Sequence, residues 1–132
     1  MADSMKLELV APERIFYRGD VTFLEFTTTE GNMGVYPNHV PLTAIIAPGV
    51  LRIHENEEVK EAALMSGFIQ ILQDKVTILA ESIEWPDEID LNRAKEAEVR
   101  ARRRIEEGSG TDLHRAELAL KRALIRQSLT KA

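Results

Sequence analysis

The sixteen residues EWPDEIDLNRAKEAEV, Glu84 to Val99, change the period of the chain. Upstream of Trp85-Pro86 apolar residues come in short, partly alternating runs. Downstream they return every three to four positions: Ala94, Ala97, Ala101, Ile105. Alternation is the mark of a half-buried strand and the longer period that of a helix. Asp90 stands where an N-cap belongs, just before Leu91, because a short carboxylate can accept from an unpaired N–H of the first turn. The chain therefore reads as two modules, residues 1–86 and 87–132.

The first module reads as β. Met5, Leu7 and Leu9 alternate with Lys6 and Glu8; Val21–Thr29 is β-branched and aromatic; Val59–Met65, Phe68–Leu72 and Val76–Ala80 are short apolar runs. Turn signals separate them at Arg18-Gly19-Asp20, Glu30-Gly31-Asn32, Pro48-Gly49, His54-Glu55-Asn56-Glu57 and Gln73-Asp74. Such runs without intervening helices predict an antiparallel β-sandwich or flattened barrel. Within it GNMGVYPNHVPL, Gly31–Leu42, has two glycines, two prolines and His39 between the prolines. It reads as a rigid loop, the kind of segment that carries contacts.

The second module reads as two helices, Leu91–Glu107 and from Thr111 or Asp112 to about Ser128, broken by Gly108-Ser109-Gly110. So short a break predicts an antiparallel αα-hairpin, and the whole an α+β protein. Its expected seam is Ala94, Ala97, Ala101 and Ile105 against Leu113, Ala116, Leu120 and Ala123 or Leu124. Alanines permit close approach but bury little area, so the hairpin is expected to be marginal alone.

Composition excludes several functions. The chain has 132 residues and no cysteine, so it has no thiolate chemistry. No window approaches the ~18 apolar residues of a membrane span, and no signal-peptide pattern opens the chain, so a cytoplasmic protein without direct membrane insertion is expected. Walker, Gly-x-Ser-x-Gly and His-Glu-x-x-His motifs are absent, and His39, His54 and His114 show no ligand spacing. No catalytic residue and no metal site is expected. His54 reads as a solvated turn residue, His114 as exposed, and His39 either as a turn residue satisfied by backbone or as an interface contact.

Charge is divided between the modules. Residues 1–87 carry 6 Lys/Arg and 14 Asp/Glu; residues 88–132 carry 11 and 8, and 8 of those 11 are arginines. Arg93, Arg100 and Arg104 repeat at i, i+7, i+11 on the first helix, and Arg115, Arg122 and Arg126 on the second. Glu96–Arg100, Glu98–Arg102 and Glu117–Lys121 have the spacing of helical ion pairs, but no acid stands four residues before Arg122 or Arg126. The stripes suit a solvated face, an acidic protein surface or a phosphate-bearing ligand. Nucleic acid is disfavoured by a net charge of -5 and an aromatic content of 5%. A membrane-surface helix is disfavoured by the interleaved glutamates and the alanine face.

Four stretches, in order, resemble the epsilon subunit of the bacterial F-type ATP synthase over nearly the whole chain: LELVAPERIFYRGDV, GNMGVYPNHVPL, MSGFIQILQDKVTILAE, and IDLNRAKEAEVRARRR followed by DLHRAELALKRALIR. The departures are Tyr36 and Asn38, where the family often has Leu and Gly, and Ser66-Gly67, where two glycines are frequent.

The resemblance implies a non-catalytic central-stalk subunit of a proton- or sodium-translocating synthase, peripheral on the cytoplasmic face of the membrane. It implies loops meeting the gamma subunit and the membrane rotor ring of c subunits, with Glu30, Gly31 and Asn32 towards the ring and His39 towards gamma or the ring. It implies a hairpin that, when extended, meets the beta and alpha subunits and blocks ATP hydrolysis. Some bacterial members bind ATP at an Ile/Leu-Asp-x-x-Arg-Ala motif, matched here by Ile89, Asp90, Arg93 and Ala94, with Glu84, Arg100, Arg122 and Arg126 at the accompanying positions. ATP is then a regulatory ligand and no cofactor is obligatory. Two alternatives stay open: the same subunit with a purely structural hairpin, and an unrelated adaptor whose arginine helices bind an acidic partner.

Overall fold

The computed structural model describes residues 4–108 and 111–130. Ser109 and Gly110 of the expected helix break, and the side chain of Thr111, lie outside what is described. The chain divides into two compact units, one through Ile83 and one from Glu84 onward.

The first unit holds eight strands: β1 (Met5–Ala11), β2 (Arg14–Val21), β3 (Phe23–Thr28), β4 (Gly31–Val35), β5 (Leu42–Ile46), β6 (Gly49–Glu55), β7 (Glu58–Ile71) and β8 (Lys75–Glu84). Their order is β2-β1-β8-β7-β5-β3-β4, and β6 closes the system by pairing with both β3 and β7. The result is a sandwich whose two sheets share β3 and β7. Alternation puts Leu7, Leu9, Leu24, Leu51, Ile53, Ile69, Ile71 and Ile78 in the core, each 0–1% exposed. β1 pairs antiparallel with β2 but runs parallel to β8, from Lys6↔Lys75 to Val10↔Leu79. An apolar pattern carries no strand direction, and strands so distant in sequence are not held antiparallel by a hairpin.

Two turn readings are corrected. Arg18-Gly19-Asp20 lies inside β2, paired with Glu8, Leu7 and Lys6, and the Arg18 guanidinium is 2.8 Å from Glu8 across the ladder. The connection is instead Pro12-Glu13. His54 and Glu55 are the end of β6 rather than a solvated turn. The His54 Nε2 is 2.7 Å from the Glu25 carboxylate, and its ring is tilted against Phe23 at 5.0 Å. The turn itself is Asn56-Glu57, with Asn56 in the left-handed region at φ 42°. Glu55 accepts from the buried Tyr17 hydroxyl of β2. Burial and that bond push the Tyr17 phenol up, and the same bond holds the Glu55 carboxyl below its usual range.

Val59–Met65 and Phe68–Leu72, expected as separate strands, belong mostly to one strand, β7, of 14 residues. Its first half pairs with β6, ending at Gly49↔Leu64; its second half pairs with β5, starting at Ile46↔Gly67. The change of partner falls at Ser66-Gly67. Gly67 has φ +154°, and a Cβ there would stand 2.3 Å from the Leu79 carbonyl oxygen. The absence of a side chain at Gly67 is what lets β8 press against β7.

The second unit begins with a single 3₁₀ turn, Pro86–Glu88, followed by α1 (Leu91–Glu107) and α2 (Thr111–Leu129). Asp90 caps α1 as expected, its carboxylate accepting from the Arg93 N–H at 3.1 Å. Ala94 and Ala101 of α1 and Ala116 and Ala123 of α2 are buried, whereas Leu124 is exposed, which resolves the open seam position in favour of Ala123.

Gly67→Ala should destabilise the sandwich by roughly 2 kcal/mol or more, since backbone strain of this kind alone costs about 1–3 kcal/mol and the clash is with main chain. Gly31, at φ +120°, has nothing within 4 Å of a built Cβ, so Gly31→Ala should cost only about 1 kcal/mol of strain. Urea denaturation of both variants checks the order; equal losses would show that the β7–β8 approach is not tight.

Candidate functional site

The second unit builds its site from one helix start and two facing helix stripes. The Trp85 N–H donates to Glu88 at 2.9 Å, which fixes the entry to the 3₁₀ turn. The Asp90 cap then sets the phase of α1, so that Arg93, Arg100 and Arg104 fall along one side of the alanine face. On α2 the matching side carries Ala119, Arg122 and Arg126. Together these residues line a cleft of about 410 Å³ with Glu84, Glu88, Asp90, Ala94, Ala97 and Ala101.

Seven of the eight residues matched to the nucleotide motif meet in this cleft: Glu84, Asp90, Arg93, Ala94, Arg100, Arg122 and Arg126. The eighth, Ile89, is 7% exposed and is not in the lining. It precedes the cap and is a packing residue. The cleft also contains Glu88, Ala97, Ala101, Arg104 and Ala119. The Arg104 spacing signal was present, since it completes the α1 stripe; Glu88 and Ala119 had no signal, because only the fold brings them there. Arg115 diverges from its stripe and lines a separate cleft at the hairpin tip with Glu107, Gly108 and Asp112.

Five guanidiniums against three carboxylates make the lining net positive. Arg126 Nε donates to Glu84 Oε1 at 2.6 Å, both side chains being about 70% covered. Arg93, Arg100, Arg104 and Arg122 make no ion pair among the described residues. Uncompensated like charges on neighbouring helix turns cost a few tenths of a kcal/mol each. Alanine floors leave the space between the forks open, so the arrangement suits an extended polyanion with a flat, partly apolar body. Outside the cleft, Glu98 of α1 accepts from Gln127 Nε2 of α2 at 2.8 Å and from Arg102 Nε at 2.7 Å. Those bonds, Gln127 first, hold the Glu98 carboxyl below its usual range.

The loop candidates separate into two places. Glu30 lies in the exposed β3–β4 turn, and Gly31 and Asn32, also exposed, open β4. Thr28 Oγ1 accepts from the Glu30 N–H at 3.0 Å and donates to the Gly31 carbonyl at 2.9 Å, and Thr27 Oγ1 donates to Asn32 Oδ1 at 2.9 Å. His39 lies beyond the other end of β4, in the loop Tyr36–Pro41. Its Nδ1–H donates to the Val40 carbonyl at 2.6 Å. Phe23 stacks on Tyr36 with centroids 4.2 Å apart, Asn38 takes φ 67°, and the Asn38 N–H donates to Gln73 at 3.0 Å. The loop is therefore rigid for local reasons: it is held at Tyr36 by Phe23 of β3 and at Asn38 by Gln73 of the β7–β8 turn.

The family model of the ATP synthase delta/epsilon chain β-sandwich domain matches residues 4–86, and that of the delta/epsilon long α-helix domain matches residues 87–130. An ATP synthase epsilon chain of Caldanaerobacter subterraneus is 43% identical over 96% of this chain and 93% of its own. That of Clostridium novyi is 39% identical over 96% of this chain and 97% of its own. A chain of the Euglena gracilis mitochondrial ATP synthase, in an OSCP/F1/c-ring structure, shares the fold with a TM-score of 0.84 at 21% identity, covering 97% of this chain and 82% of its own.

The Glu98 contacts should make hairpin closure pH-dependent. A carboxyl lowered on closure contributes fully above its ordinary pKa of 4.5 and loses that contribution as pH falls through the depressed value. Labels at Glu96→Cys and Ser128→Cys, in a chain without native cysteine, should hold a constant separation from neutral pH down to that window and spread below it. The same labels on a Glu98→Gln background should not show that step; an identical step would assign it to another acid.

Proposed function

The chain belongs to the ATP synthase delta/epsilon family, and from that premise we propose that it is the epsilon subunit of a bacterial F-type synthase whose C-terminal hairpin senses ATP. The reading of an unrelated adaptor falls with the family assignment. The subunit is non-catalytic, and the chemistry of ATP belongs to other chains of the complex. As the resemblance implies, its sandwich joins gamma to the c ring on the cytoplasmic face, with the Glu30–Asn32 segment and the His39 loop as contacts. No helix among the described residues is long and apolar enough to cross a membrane, which agrees with a peripheral place. The extended hairpin faces beta and alpha and inhibits hydrolysis; the closed hairpin permits it.

The observation that carries the ATP reading is the convergence of seven matched residues on one cleft of about 410 Å³. Four of its arginines are unpaired among the described residues, and the fifth holds Glu84 in the place of an anion. A triphosphate would take over Arg126 and compensate Arg100 and Arg122. Asp90 and Arg93 sit at the start of α1, the end at which an antiparallel hairpin also brings the last turn of α2 with Arg126. ATP that binds only the closed hairpin shifts the population towards it by linkage.

ATP should raise the melting temperature of the isolated chain, and calorimetry with ATP and ADP, with and without magnesium, should give a saturable isotherm. Arg126→Ala should weaken ATP about tenfold or more, since a charge-assisted contact is worth ~1.5–3 kcal/mol. Asp90→Ala combines a lost cap, worth about 1 kcal/mol, with any lost ligand contact, whereas Asp90→Asn keeps the cap. Weakening by Asn as well as by Ala would assign the carboxylate to the ligand. No shift at millimolar ATP in the wild type would leave the purely structural hairpin as the reading.

Removing the chain from Asp87 onward should leave a folded sandwich that still joins the rotor, and the reconstituted enzyme should hydrolyse ATP faster. Unchanged hydrolysis would remove the inhibitory role; an unfolded fragment would show that the hairpin completes the sandwich.

A further inference from the structure

Arg126 and Gln127 are neighbours in the last turn of α2 and point about 100° apart, as successive helical residues must. Arg126 reaches Glu84 at 2.6 Å in the cleft. Gln127 reaches Glu98 of α1 at 2.8 Å outside it. Glu98 is in turn held on its other oxygen by Arg102 at 2.7 Å. The end of α2 is thus pinned at two points of different character. The first is an ion pair that any anion entering the cleft must displace. The second is an amide–carboxylate bond that lies outside the lining and is untouched by such an exchange.

We propose that Gln127 and Glu98 form a clasp that keeps the last turns of α2 on α1 while Arg126 passes from Glu84 to a bound anion. They are positioning residues for the cleft, acting through Arg126. The inference rests on the nucleotide reading for its regulatory meaning, but the clasp is a property of the hairpin with or without ligand. The need for it follows from the seam. Alanines at 94, 101, 116 and 123 give the two helices little apolar area to hold on to. An arginine that has left one partner and not reached the next leaves the α2 terminus free to fray. A contact not shared with the ligand removes that gap. Arg102 keeps Glu98 extended towards α2, which lowers the entropy lost when Gln127 engages.

The test is a double-mutant cycle on the full chain: wild type, Glu98→Ala, Gln127→Ala and the double variant. Amide exchange of Ile125–Leu129 is followed by mass spectrometry without nucleotide, and the β strands serve as an internal control for folding. Each single variant should speed exchange of that turn roughly threefold to tenfold, the worth of one hydrogen bond to a charged group partly open to water. The double variant should be no faster than the singles, since the two residues act as a pair. Glu98→Gln, which keeps an acceptor for Gln127, should restore most of the protection lost in Glu98→Ala. Calorimetric ATP affinity should fall in the single variants by no more than that factor, because only the closed fraction of the hairpin binds. Additive effects, or unchanged exchange in Gln127→Ala, would overturn the clasp even if the wild type binds ATP. A clasp confirmed by exchange in a chain that binds no ATP would keep the clasp and remove the nucleotide.

Discussion

The hairpin depends on how closely two helices approach when their seam is made of alanine. Ala94 and Ala101 face the partner helix with nothing beyond Cβ, and Ala116 and Ala123 do the same from α2. Close approach brings the flanking arginines of both helices to the rim of one cleft. The same geometry that creates an anion site therefore accumulates like charge and withholds apolar area. Stability has to come from polar contacts: the Asp90 cap, the Glu84–Arg126 pair and the Glu98–Gln127 bond. The cap is of the order of 1 kcal/mol and the other two contacts are partly open to water, so the closed hairpin stays within reach of ligand binding energy. A leucine-rich seam would be more stable and would be insensitive to a ligand.

The sandwich solves the opposite problem. It has a deep apolar core, with β3 and β7 each shared between two sets of neighbours. A strand that changes partners must bend, and Gly67 is where β7 does so, under the carbonyl of Leu79. Tyr17 and Glu55 join β2 to β6 where no ladder links them. The two units thus differ in what holds them: buried area in the first, and a few oriented polar bonds in the second.

Much of this was legible in the residues. Alternation at Met5, Leu7 and Leu9 marked β1, and Asp90 before Leu91 marked the start of α1, because both signals are local. The arginine stripes were legible as periodicity, but which of their members share a cleft depends on helix rotation. Arg104 joined the cleft and Arg115 left it for that reason. Arg18-Gly19-Asp20 was misread because its composition mimics a turn, while its pairing with β1 is a matter of register. Val59–Met65 and Phe68–Leu72 read as two strands, because a partner change at Gly67 breaks the apolar run without ending the strand. The parallel β1–β8 ladder had no sequence signal, since an apolar pattern reads the same in either direction. Ile89 belongs to the family motif but is explained by packing, whereas Glu88 reaches the cleft through the 3₁₀ turn alone.

The placement of the Glu30–Asn32 segment and the His39 loop at opposite ends of β4 has a mechanical consequence. β4 itself has five residues, Gly31–Val35, roughly 17 Å at ~3.4 Å per residue. A pull between those two ends would run lengthwise along β4 and be opposed by all of its bonds to β3 at once, from Leu24↔Val35 to Thr28↔Gly31. Bonds loaded in shear share the force, whereas bonds loaded at one end break in turn. A domain wedged between two bodies through these loops would behave as a stiff strut, with little elastic energy lost to bending of the loops themselves.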